Sequence, residues 1–335
     1  MLLTEKAEEW VAPTEPGAGG YGGRYLWTDA FGVINFITLF KETGSKKYLI
    51  LAKKLALTVH DVLGRTRDGS ARLNGATESE PLRGGLRIGK MSADGSDGDG
   101  QYHHYLTLWM FALNRLSLAT KDPSLNDLAI QLAEAIHPKF VSHLRSGDIK
   151  LVWKVSMDMK TILVPTEGHL DAVTGFSVYK LLQDTAIQQG RQDNLLQNEI
   201  EDYSYMMAKK ERLSPSYDPL DLGMGLWVCS LSRDEVWAER FTRVALDKAS
   251  KLLDEESGIP TGRATERLAF REFGACLGIS CVDADDALQS QAANVIEFWG
   301  KQMEQNTTDD LKPISYVMYS AALIPGAFCR EHLEN

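Results

Sequence analysis

The sequence predicts an all-α protein, an (α/α)6 toroid in which helical hairpins form a closed ring. Three observations predict this fold class. Pairs of helical segments recur along the 335 residues, about one pair every 50 to 70 residues. The first helix of a pair is apolar on all sides or nearly so, whereas the second is amphipathic, which is typical of an inner helix packed against an outer one. No stretch sustains an alternation of apolar and polar residues, so we expect little sheet.

The first hairpin, residues 24–64, shows the pattern most clearly. Apolar side chains cover nearly the whole circumference of the segment 30–40, so we expect this helix to be enclosed by protein. Thr28 or Asp29 is a suitable N-cap for it, and Gly44 suits the left-handed residue that ends helices. The following segment, 46–63, carries lysines on one side and apolar residues on the other, as expected of an outer helix.

Later segments repeat this order along the chain. The predicted inner helices cover 105–116, 170–186, 221–231 and 267–279. One outer helix follows the turn at 120–124, and the later outer helices cover 194–210, 234–253 and 285–301. A last helix over 313–330 has no downstream partner, and the apolar segment 2–11 has no upstream partner. We expect these two segments to pair as N- and C-terminal helices and close the ring, which makes residues 1–335 a single domain.

The composition excludes several classes of function. A net charge of −10 argues against a nucleic-acid surface, because phosphate binding needs clustered lysine and arginine. No apolar run approaches the roughly 20 residues that cross a bilayer, and the first residues lack a signal-peptide pattern. The four cysteines show no CxxC spacing and are expected to be reduced and buried. We therefore expect a cytoplasmic protein with no nucleic-acid or membrane partner, and the oligomeric state stays open.

The candidate functional residues lie where loops lead into the inner helices. In a toroid of hairpins these loops meet at one end of a central cavity, although they lie far apart in sequence. Carboxylates, histidines and aromatic rings dominate this set, which suits sugar chemistry, because acids handle protons at sugar carbons and rings stack on sugar faces. The candidates are Arg24, Trp27, Asp29, Asp99, Tyr102, His103, His104, Trp153, Glu167, His169, Asp171, Asp218 and Arg263.

Simpler interpretations compete with these roles. Asp29 and Asp171 stand at helix starts, where aspartate often caps the helix. His103 and His104 are neighbours, and successive helical residues point about 100° apart, so at most one should face the cavity. The acidic run 94–99 resembles half of a calcium loop but lacks its closing glutamate, and the histidine spacings match no zinc site. We therefore expect neither a metal nor a cofactor.

Residues 24–31, R-Y-L-W-T-D-A-F, followed by residues 43–49, T-G-S-K-K-Y-L, resemble a hairpin of the unsaturated glucuronyl and rhamnogalacturonyl hydrolases. These belong to the six-hairpin glycosidase-like superfamily of (α/α)6 toroids. The resemblance implies that Asp29, which matches the family's motif aspartate, acts as general acid/base. N-acylglucosamine 2-epimerase-type enzymes share the toroid and use paired histidines, and His103, His104 and His169 keep that alternative open.

The sequence thus favours an enzyme that hydrolyses a small saccharide or uronide. Asp29 would be the general acid/base, Glu167 or Asp171 its partner carboxylate, and His103 or His104 would orient the substrate. The remaining candidates would bind the substrate: Arg24, Trp27, Asp99, Tyr102, Trp153, His169, Asp218 and Arg263. Two alternatives remain, namely a sugar epimerase or isomerase that uses histidines, and a nonhydrolytic toroid protein that acts on or binds a nonsugar metabolite.

Overall fold

The computed structural model describes residues 7, 9–12, 14–16, 23–93, 95, 97–192, 194–209 and 213–333. Over these residues it contains eleven α-helices and seven strands of two or three residues each, so the expected scarcity of sheet is confirmed. The chain divides into two compact units, Met1–Lys209 and Lys210–Asn335. Each unit is described by itself below, and the single domain expected from the sequence stays a prediction.

The first unit consists of three helical hairpins. Their helices are α1 (Leu26–Thr43), α2 (Lys47–Leu63), α3 (His103–Thr120), α4 (Pro123–Phe140), α5 (Asp171–Gln188) and α6 (Gln197–Lys209). Helix α1 packs against α2 and α3, α3 packs against α4 and α5, and α5 packs against α6. Helices α1, α3 and α5 are buried along most of their length, so they are the inner helices that the apolar pattern predicts.

The first hairpin confirms the predicted turn but not the predicted N-cap. Gly44 has φ 67° and its N–H donates to the carbonyl of Phe40 (2.8 Å), which ends α1. The N-cap residue is Tyr25, not Thr28 or Asp29. Both side chains lie within the first turn and fold back on Tyr25: the Thr28 hydroxyl donates to its carbonyl (2.9 Å), and an Asp29 oxygen accepts its N–H (3.2 Å).

Short strands hold the connections of the first unit. They are β1 (Glu15–Pro16), β2 (Gly23–Arg24), β3 (Gln101–Tyr102), β4 (Val141–His143), β5 (Ile149–Leu151), β6 (Lys154–Val155) and β7 (Ile162–Val164). Strand β1 pairs with β2 in parallel, and the antiparallel pairs are β4 with β5, β3 with β6, and β6 with β7. The pairing of Tyr102 with Lys154 brings Trp153 to the start of α3, where its carbonyl accepts the N–H of His103 (3.2 Å).

The long loop 65–100 is folded around one buried carboxylate, that of Asp99, which is 2% exposed. One oxygen accepts from the guanidinium groups of Arg67 and Arg87, both at 3.0 Å. The other accepts the backbone N–H groups of Gly89 (3.0 Å), Lys90 (3.3 Å) and Gly100 (3.1 Å). The loop also joins the start of α1, because Leu26 N–H donates to the carbonyl of Ile88 (3.0 Å).

The second unit contains α7 (Pro219–Leu231), α8 (Val236–Leu252), α9 (Ala269–Ser280), α10 (Asp286–Asn306) and α11 (Lys312–Leu323). Helix α7 packs against α8 and α9, and α9 packs against α10 and α11. The prediction of one helix over 313–330 is wrong at its end. Pro325 cannot continue the helix, Gly326 has φ 47°, and 3₁₀ turns at Gly326–Phe328 and Arg330–Leu333 follow.

Glycines allow α7 and α9 to approach closely. A Cβ added at Gly223 would lie 1.9 Å from the carbonyl oxygen of Gly274, and one added at Gly278 would lie 2.1 Å from that of Gly223. Beside this contact, the buried ion pair of Arg267 and Glu272 is bidentate (2.9 and 2.6 Å), and Trp299 Nε1–H donates to Glu272 (2.8 Å). The pair is fully hydrogen-bonded, as buried charges must be.

The predicted ring closure falls partly on residues 1–6 and 8, which lie outside the described residues. In the described part of this segment, the Lys54 ammonium donates to the carbonyls of Ala7 (3.2 Å) and Trp10 (3.1 Å). The Trp10 ring meets Phe36 of α1 edge to face at 6.4 Å. This segment therefore contacts the first hairpin, and its pairing with residues 313–330 stays a prediction.

The four cysteines all carry free thiols, as expected; Cys229, Cys276 and Cys281 are buried and Cys329 is half-buried. Among the described helices, none is both long enough and apolar enough to cross a membrane.

Candidate active site

An aromatic cluster lies where α1 and α3 begin. It consists of Trp27, Tyr102, His104, Tyr105 and Trp153. Helix α1 contributes Trp27, the start of α3 contributes three rings, and the connection between β5 and β6 contributes Trp153. His104 is central: its ring centroid lies 4.7 Å from that of Tyr105, 5.4 Å from Tyr102 and 6.0 Å from Trp27. Three predicted site residues beside His104, namely Trp27, Tyr102 and Trp153, are thus brought together.

Trp153 fixes the proton on His104. The two rings are nearly parallel (17°), and the indole Nε1–H donates to Nδ1 of His104 at 2.9 Å. An indole N–H can only donate, so Nδ1 accepts and carries no proton. A neutral imidazole then carries its proton on Nε2. With a side chain 28% exposed, His104 can offer Nε2–H to a bound ligand.

The Asp29 carboxyl lies in the first turn of α1, two residues after Trp27, and is 4% exposed. Arg24 Nη1 lies 3.1 Å from one oxygen, and Tyr25 N–H donates to the other. Burial is the largest effect and raises the pKa of Asp29 to about 7, although Arg24 and the Tyr25 N–H act in the opposite direction. Near neutral pH this carboxyl can therefore both give and take a proton.

The Asp171 carboxyl, at the first residue of α5, has the opposite behaviour. It is 2% exposed, and burial acts to raise its pKa. The contact with His103, whose Nδ1 lies 3.6 Å away, is the largest effect in the opposite direction, and with the Gly168 N–H that donates to the carboxyl at 2.8 Å it outweighs burial. The pKa of Asp171 consequently lies below its usual value, and the group is a carboxylate at neutral pH.

His103 and His104 point in different directions, as helix geometry predicts for neighbours. His103 is 0% exposed and packs against Phe140 and Tyr203, with ring centroids at 5.6 and 5.7 Å. Because the ring is fully buried, His103 has no direct access to a substrate. Its assignment as a catalytic residue finds no support in this geometry, whereas that of His104 remains open.

Two tyrosines that sequence reasoning left out of the site border the cluster. The hydroxyls of Tyr25 and Tyr105 are 2.6 Å apart, and burial raises the pKa of both. Helical spacing could have identified Tyr105, because it follows Tyr102 by three residues and so shares its side of the helix. Tyr25 stands directly before α1, one residue from Arg24, and carried no comparable signal.

Cations lie on the other side of Tyr102. The ammonium of Lys154 is 5.0 Å and that of Lys90 is 5.6 Å from the ring centroid. Lys154 is 0% exposed and donates to the carbonyl of Gly98 at 2.5 Å. Burial, followed by the charge of Lys90, lowers the pKa of Lys154. This edge of the cluster is therefore positively charged.

The other predicted residues lie elsewhere. Glu167 and His169 are exposed on the loop before α5, and their roles stay predictions. Asp99 was expected to bind substrate, but both of its oxygens accept hydrogen bonds from residues of the loop 65–100. Asp218 and Arg263 belong to the second unit: Asp218 caps α7 by accepting Asp221 N–H (3.1 Å) and pairs with Arg271, and Arg263 is exposed.

No metal site is evident in the described part of the chain, where no group of three or more histidine, cysteine, aspartate or glutamate side chains is placed to hold an ion. The groups that the geometry offers are a carboxyl group with a pKa near neutrality, an ionised carboxylate, and a neutral imidazole that lies among aromatic rings.

Comparison with solved structures identifies the fold. No protein-family model matches the sequence, and no curated protein matches it. The cellobiose 2-epimerase of Spirochaeta thermophila DSM 6192 is similar with a TM-score of 0.58 at 13% identity, covering 97% of this chain and 90% of the epimerase. A family 76 glycoside hydrolase from a bovine Bacteroides thetaiotaomicron strain gives a TM-score of 0.57 at 13% identity, covering 94% of this chain and 72% of the hydrolase.

An α-mannanase of glycoside hydrolase family 76 from Bacteroides thetaiotaomicron is similar as well, with a TM-score of 0.57 at 9% identity over 89% of this chain and 85% of the mannanase. Similarity at such low identity reports the fold and not the reaction. Together with the helical hairpins, it shows that this chain has the (α/α)6 toroid fold of these structures.

Proposed function

We propose that the chain is a carbohydrate-active enzyme that hydrolyses a glycosidic bond in a small saccharide or uronide. The observation that carries this proposal is the Asp29 carboxyl, buried in the first turn of α1 with a pKa of about 7. A general acid/base works best when its pKa is near the working pH, and glycosidases obtain such a pKa by burying a carboxyl. Two of the structural neighbours named above are glycoside hydrolases.

In this mechanism the two buried carboxyl groups have different roles. Protonated Asp29 donates its proton to the leaving-group oxygen as the glycosidic bond breaks. Asp171 remains ionised, because His103 and the Gly168 N–H hold its pKa below the usual value. It serves as the partner carboxylate, which stabilises positive charge at the sugar ring or takes a proton from water. Glu167 is the alternative partner.

The aromatic cluster would bind the sugar. The rings of Trp27, Tyr102 and Trp153 offer apolar faces for sugar C–H groups. His104, with its proton on Nε2, donates a hydrogen bond to a sugar oxygen and so orients the ring. Arg24 pairs with the ionised form of Asp29 after proton transfer and limits how far burial raises the carboxyl pKa.

Epimerisation of a sugar is the second candidate. It is favoured by the position of His104 within the cluster, 3.9 Å from Asp171, and by the similarity to a cellobiose 2-epimerase. A base that removes a proton from carbon needs a bare nitrogen facing the substrate. Because Trp153 occupies Nδ1 as a donor, the other nitrogen carries the proton, so His104 is poised to donate and not to abstract. This favours hydrolysis over epimerisation.

The test is an assay of three substrates in D₂O, namely α-mannan, an unsaturated uronide disaccharide and cellobiose. Hydrolysis of α-mannan or cellobiose releases new reducing ends without deuterium at sugar carbons. Hydrolysis of the unsaturated uronide by protonation of its ring double bond also cleaves the disaccharide and leaves deuterium on that ring, whereas epimerisation places deuterium at C2 without cleavage. We expect cleavage, and we expect Asp29→Asn to abolish it. The control is Asp286→Asn, an acid in the first turn of α10 that is exposed and should leave the rate unchanged.

Two results would contradict the proposal. Deuterium incorporation without cleavage would establish the epimerase instead. Turnover of none of the three sugars, with binding of an apolar metabolite in its place, would support a nonhydrolytic protein with a nonsugar ligand.

A further inference from the structure

A line of three buried polar side chains runs behind the candidate site. The Tyr203 hydroxyl on α6 lies 2.7 Å from Nε2 of His103, and Nδ1 of His103 lies 3.6 Å from an oxygen of Asp171. Tyr203 and His103 are 0% exposed and Asp171 is 2% exposed. The line thus starts in the core and ends at the carboxylate that faces His104 in the aromatic cluster.

The surroundings determine which nitrogen of His103 carries a proton. Nδ1 is buried and makes no hydrogen bond, and the atom that faces it is a carboxylate oxygen of Asp171. An ionised carboxylate only accepts, so a bare Nδ1 would set two lone pairs against each other in a buried place. A proton on Nδ1 removes this conflict. At 3.6 Å the contact is longer than a hydrogen bond, and such contacts often shorten when a substrate binds.

Two glycines, which have no Cβ, allow Tyr203 and Asp171 to pack closely against the backbone. A Cβ added at Gly175 of α5 would lie 2.4 Å from Cζ of Tyr203, so the phenol ring rests directly on the helix backbone. A Cβ added at Gly168 would lie 2.6 Å from an oxygen of Asp171, where the Gly168 N–H donates at 2.8 Å. Tyr203 and Asp171 are therefore both seated against α5 or the loop leading into it, and His103 spans the distance between them.

We propose that Tyr203 and His103 are positioning residues, which hold a proton on Nδ1 of His103 against Asp171 and so fix the place and charge of that carboxylate. This inference rests on the proposed function for the role of Asp171 as partner carboxylate. It also explains why a fully buried histidine stands next to the histidine that enters the cluster.

Ordinary core packing is the competing explanation, because Tyr203 also meets the rings of Tyr179 (5.2 Å, 89°) and His137 (5.0 Å, 90°) edge to face. Packing depends on the ring and not on the hydroxyl. Tyr203→Phe therefore keeps the ring and removes the hydroxyl, which contacts both His103 and the Tyr179 hydroxyl. Tyr179→Phe is the matched control, because Tyr179 is equally buried and its loss of the hydroxyl removes the contact with Tyr203 but leaves the Tyr203 hydroxyl on His103.

Substitutions of His103 test whether its Nδ1, which faces Asp171, or its Nε2, which faces Tyr203, is needed for function. Asparagine places an amide N–H near the position of Nδ1 and can still donate to Asp171. Glutamine places its amide near Nε2, so it can still reach Tyr203 but not Asp171. A positioning role predicts that His103→Asn retains function better than His103→Gln, whereas a filler role favours glutamine, whose volume is closer to that of histidine.

The first experiment needs no substrate. Histidine labelled with ¹⁵N reports which ring nitrogens carry protons, and loss of one signal set in His103→Asn assigns that residue. We expect a protonated Nδ1 in the wild-type protein and in Tyr179→Phe, and a changed proton distribution in Tyr203→Phe. A bare Nδ1 in the wild type, or identical spectra for Tyr203→Phe and Tyr179→Phe, would overturn the inference.

The second experiment measures cleavage of α-mannan and the unsaturated disaccharide against pH. We expect Tyr203→Phe and His103→Gln to lower kcat by at least about tenfold with little change in KM, because a displaced carboxylate acts only in the transition state. The acidic limb of the profile should move to higher pH, since Asp171 loses a group that favours its ionised form. An unchanged limb together with an unchanged kcat would contradict the inference.

Failure of the proposed function is distinguishable from failure of this inference. If no sugar is cleaved but Nδ1 is protonated and responds to Tyr203→Phe, the positioning pair stands and the hydrolase assignment falls. If sugar is cleaved but Nδ1 is bare, the assignment stands and the positioning pair falls.

Discussion

At the scale of single residues, Asp29 and Asp171 show how surroundings separate two similar groups. Both lie in the first turn of an inner helix, and both accept a backbone N–H from the preceding segment. Burial prevails at Asp29, although Arg24 lowers its pKa, whereas the contacts with His103 and the Gly168 N–H prevail at Asp171. Such a division of pKa values is what distinguishes an acid from its partner carboxylate.

The raised pKa of Asp29 makes stability depend on pH. The folded protein holds this proton up to about pH 7, whereas the unfolded chain releases it near pH 3.8. Between these values the folded state binds more protons, so the contribution of Asp29 to the free energy of unfolding falls as pH rises, by about 1.4 kcal/mol per pH unit. Asp29→Asn cannot titrate. We therefore expect its free energy of unfolding, measured with urea, to increase relative to that of the wild type between pH 5 and pH 7.

The control is again Asp286→Asn, whose difference from the wild type should stay constant over this range. If the difference in the free energy of unfolding between Asp29→Asn and the wild type is constant, Asp29 is ionised over the whole range and has a structural role as the ion-pair partner of Arg24.

The Trp153 indole is expected to hold His104 neutral. Trp153→Phe keeps an aromatic ring but removes the N–H, so Nδ1 becomes free to take a proton beside Asp171. We expect the proton of His104 to be redistributed toward Nδ1 in this variant, as measured by ¹⁵N NMR. Trp109→Phe is the control, because the Trp109 indole donates in the same way to Nε2 of His60 (3.1 Å) and should change only that histidine.

The sequence predicts those parts of the site that follow from helix geometry and hairpin order, but not the contacts that irregular loops make. Helix period separates His103 from His104, and the order of hairpins brings Trp27, Tyr102 and Asp171 to corresponding ends of inner helices. The role of Asp99 was not predictable, because its partners Arg67 and Arg87 are specified by the path of an irregular loop. For the same reason the hydrogen bond from Trp153 to His104 has no signal in the sequence.

At the scale of helices, apolar periodicity identifies the five hairpins of the described residues, from α1–α2 to α9–α10, but it does not report how closely two helices approach. The all-apolar stretch of α7 predicts burial, and burial alone is compatible with many distances between axes. Gly223, Gly274 and Gly278 decide the distance between α7 and α9, since a side chain at any of them would meet backbone or a leucine. Similarly, the end of α11 at Leu323 follows from Pro325 and Gly326, two local signals that the apolar run after it obscures.

The close contact of α7 and α9 predicts a large cost for Gly278→Ala. The new Cβ would lie 2.1 Å from the backbone oxygen of Gly223, so the helices must separate. We expect a loss of about 2 kcal/mol or more in the free energy of unfolding, measured with urea. In Gly32→Ala on α1 the Cβ meets only a leucine methyl at 3.1 Å, and alanine favours helix by about 1 kcal/mol, so this control should be near neutral or stabilising. Equal effects of the two substitutions would contradict the account of the α7–α9 contact.

At the scale of the whole molecule, the sequence predicts one domain although the chain forms two compact units. A single domain unfolds in one cooperative transition. We expect peptides from α1–α6 and from α7–α11 to lose protection from hydrogen exchange at the same urea concentration. Two separate midpoints would make each unit a domain in its own right.

The N-terminal segment provides a second test at this scale. Deleting residues 1–11 removes the Trp10 ring from Phe36 and both carbonyl acceptors from the Lys54 ammonium. We expect the whole domain to lose several kcal/mol of stability, on the order of that contact area times 25 cal/mol per Å². Trp10→Ala should account for part of the loss, and a truncated chain that melts like the intact one would contradict the structural role.

The folding of the loop 65–100 around Asp99 has a consequence for how ligands arrive. A loop of this length beside an active site is usually regarded as a gate that opens and closes with each turnover. Here five donors of the loop itself converge on one buried carboxylate, so the loop holds together as one body. It is also attached to its surroundings, because Leu26 N–H donates to the Ile88 carbonyl (3.0 Å) and Leu82 N–H donates to the Gln131 side chain (2.8 Å), and opening the loop would break these bonds. We therefore expect the loop 65–100 to stay in place during turnover and the entrance to the candidate site to remain open. Association should then show the weak temperature dependence of diffusion through solvent, and catalysis should slow in proportion to added viscosity only when substrate is scarce.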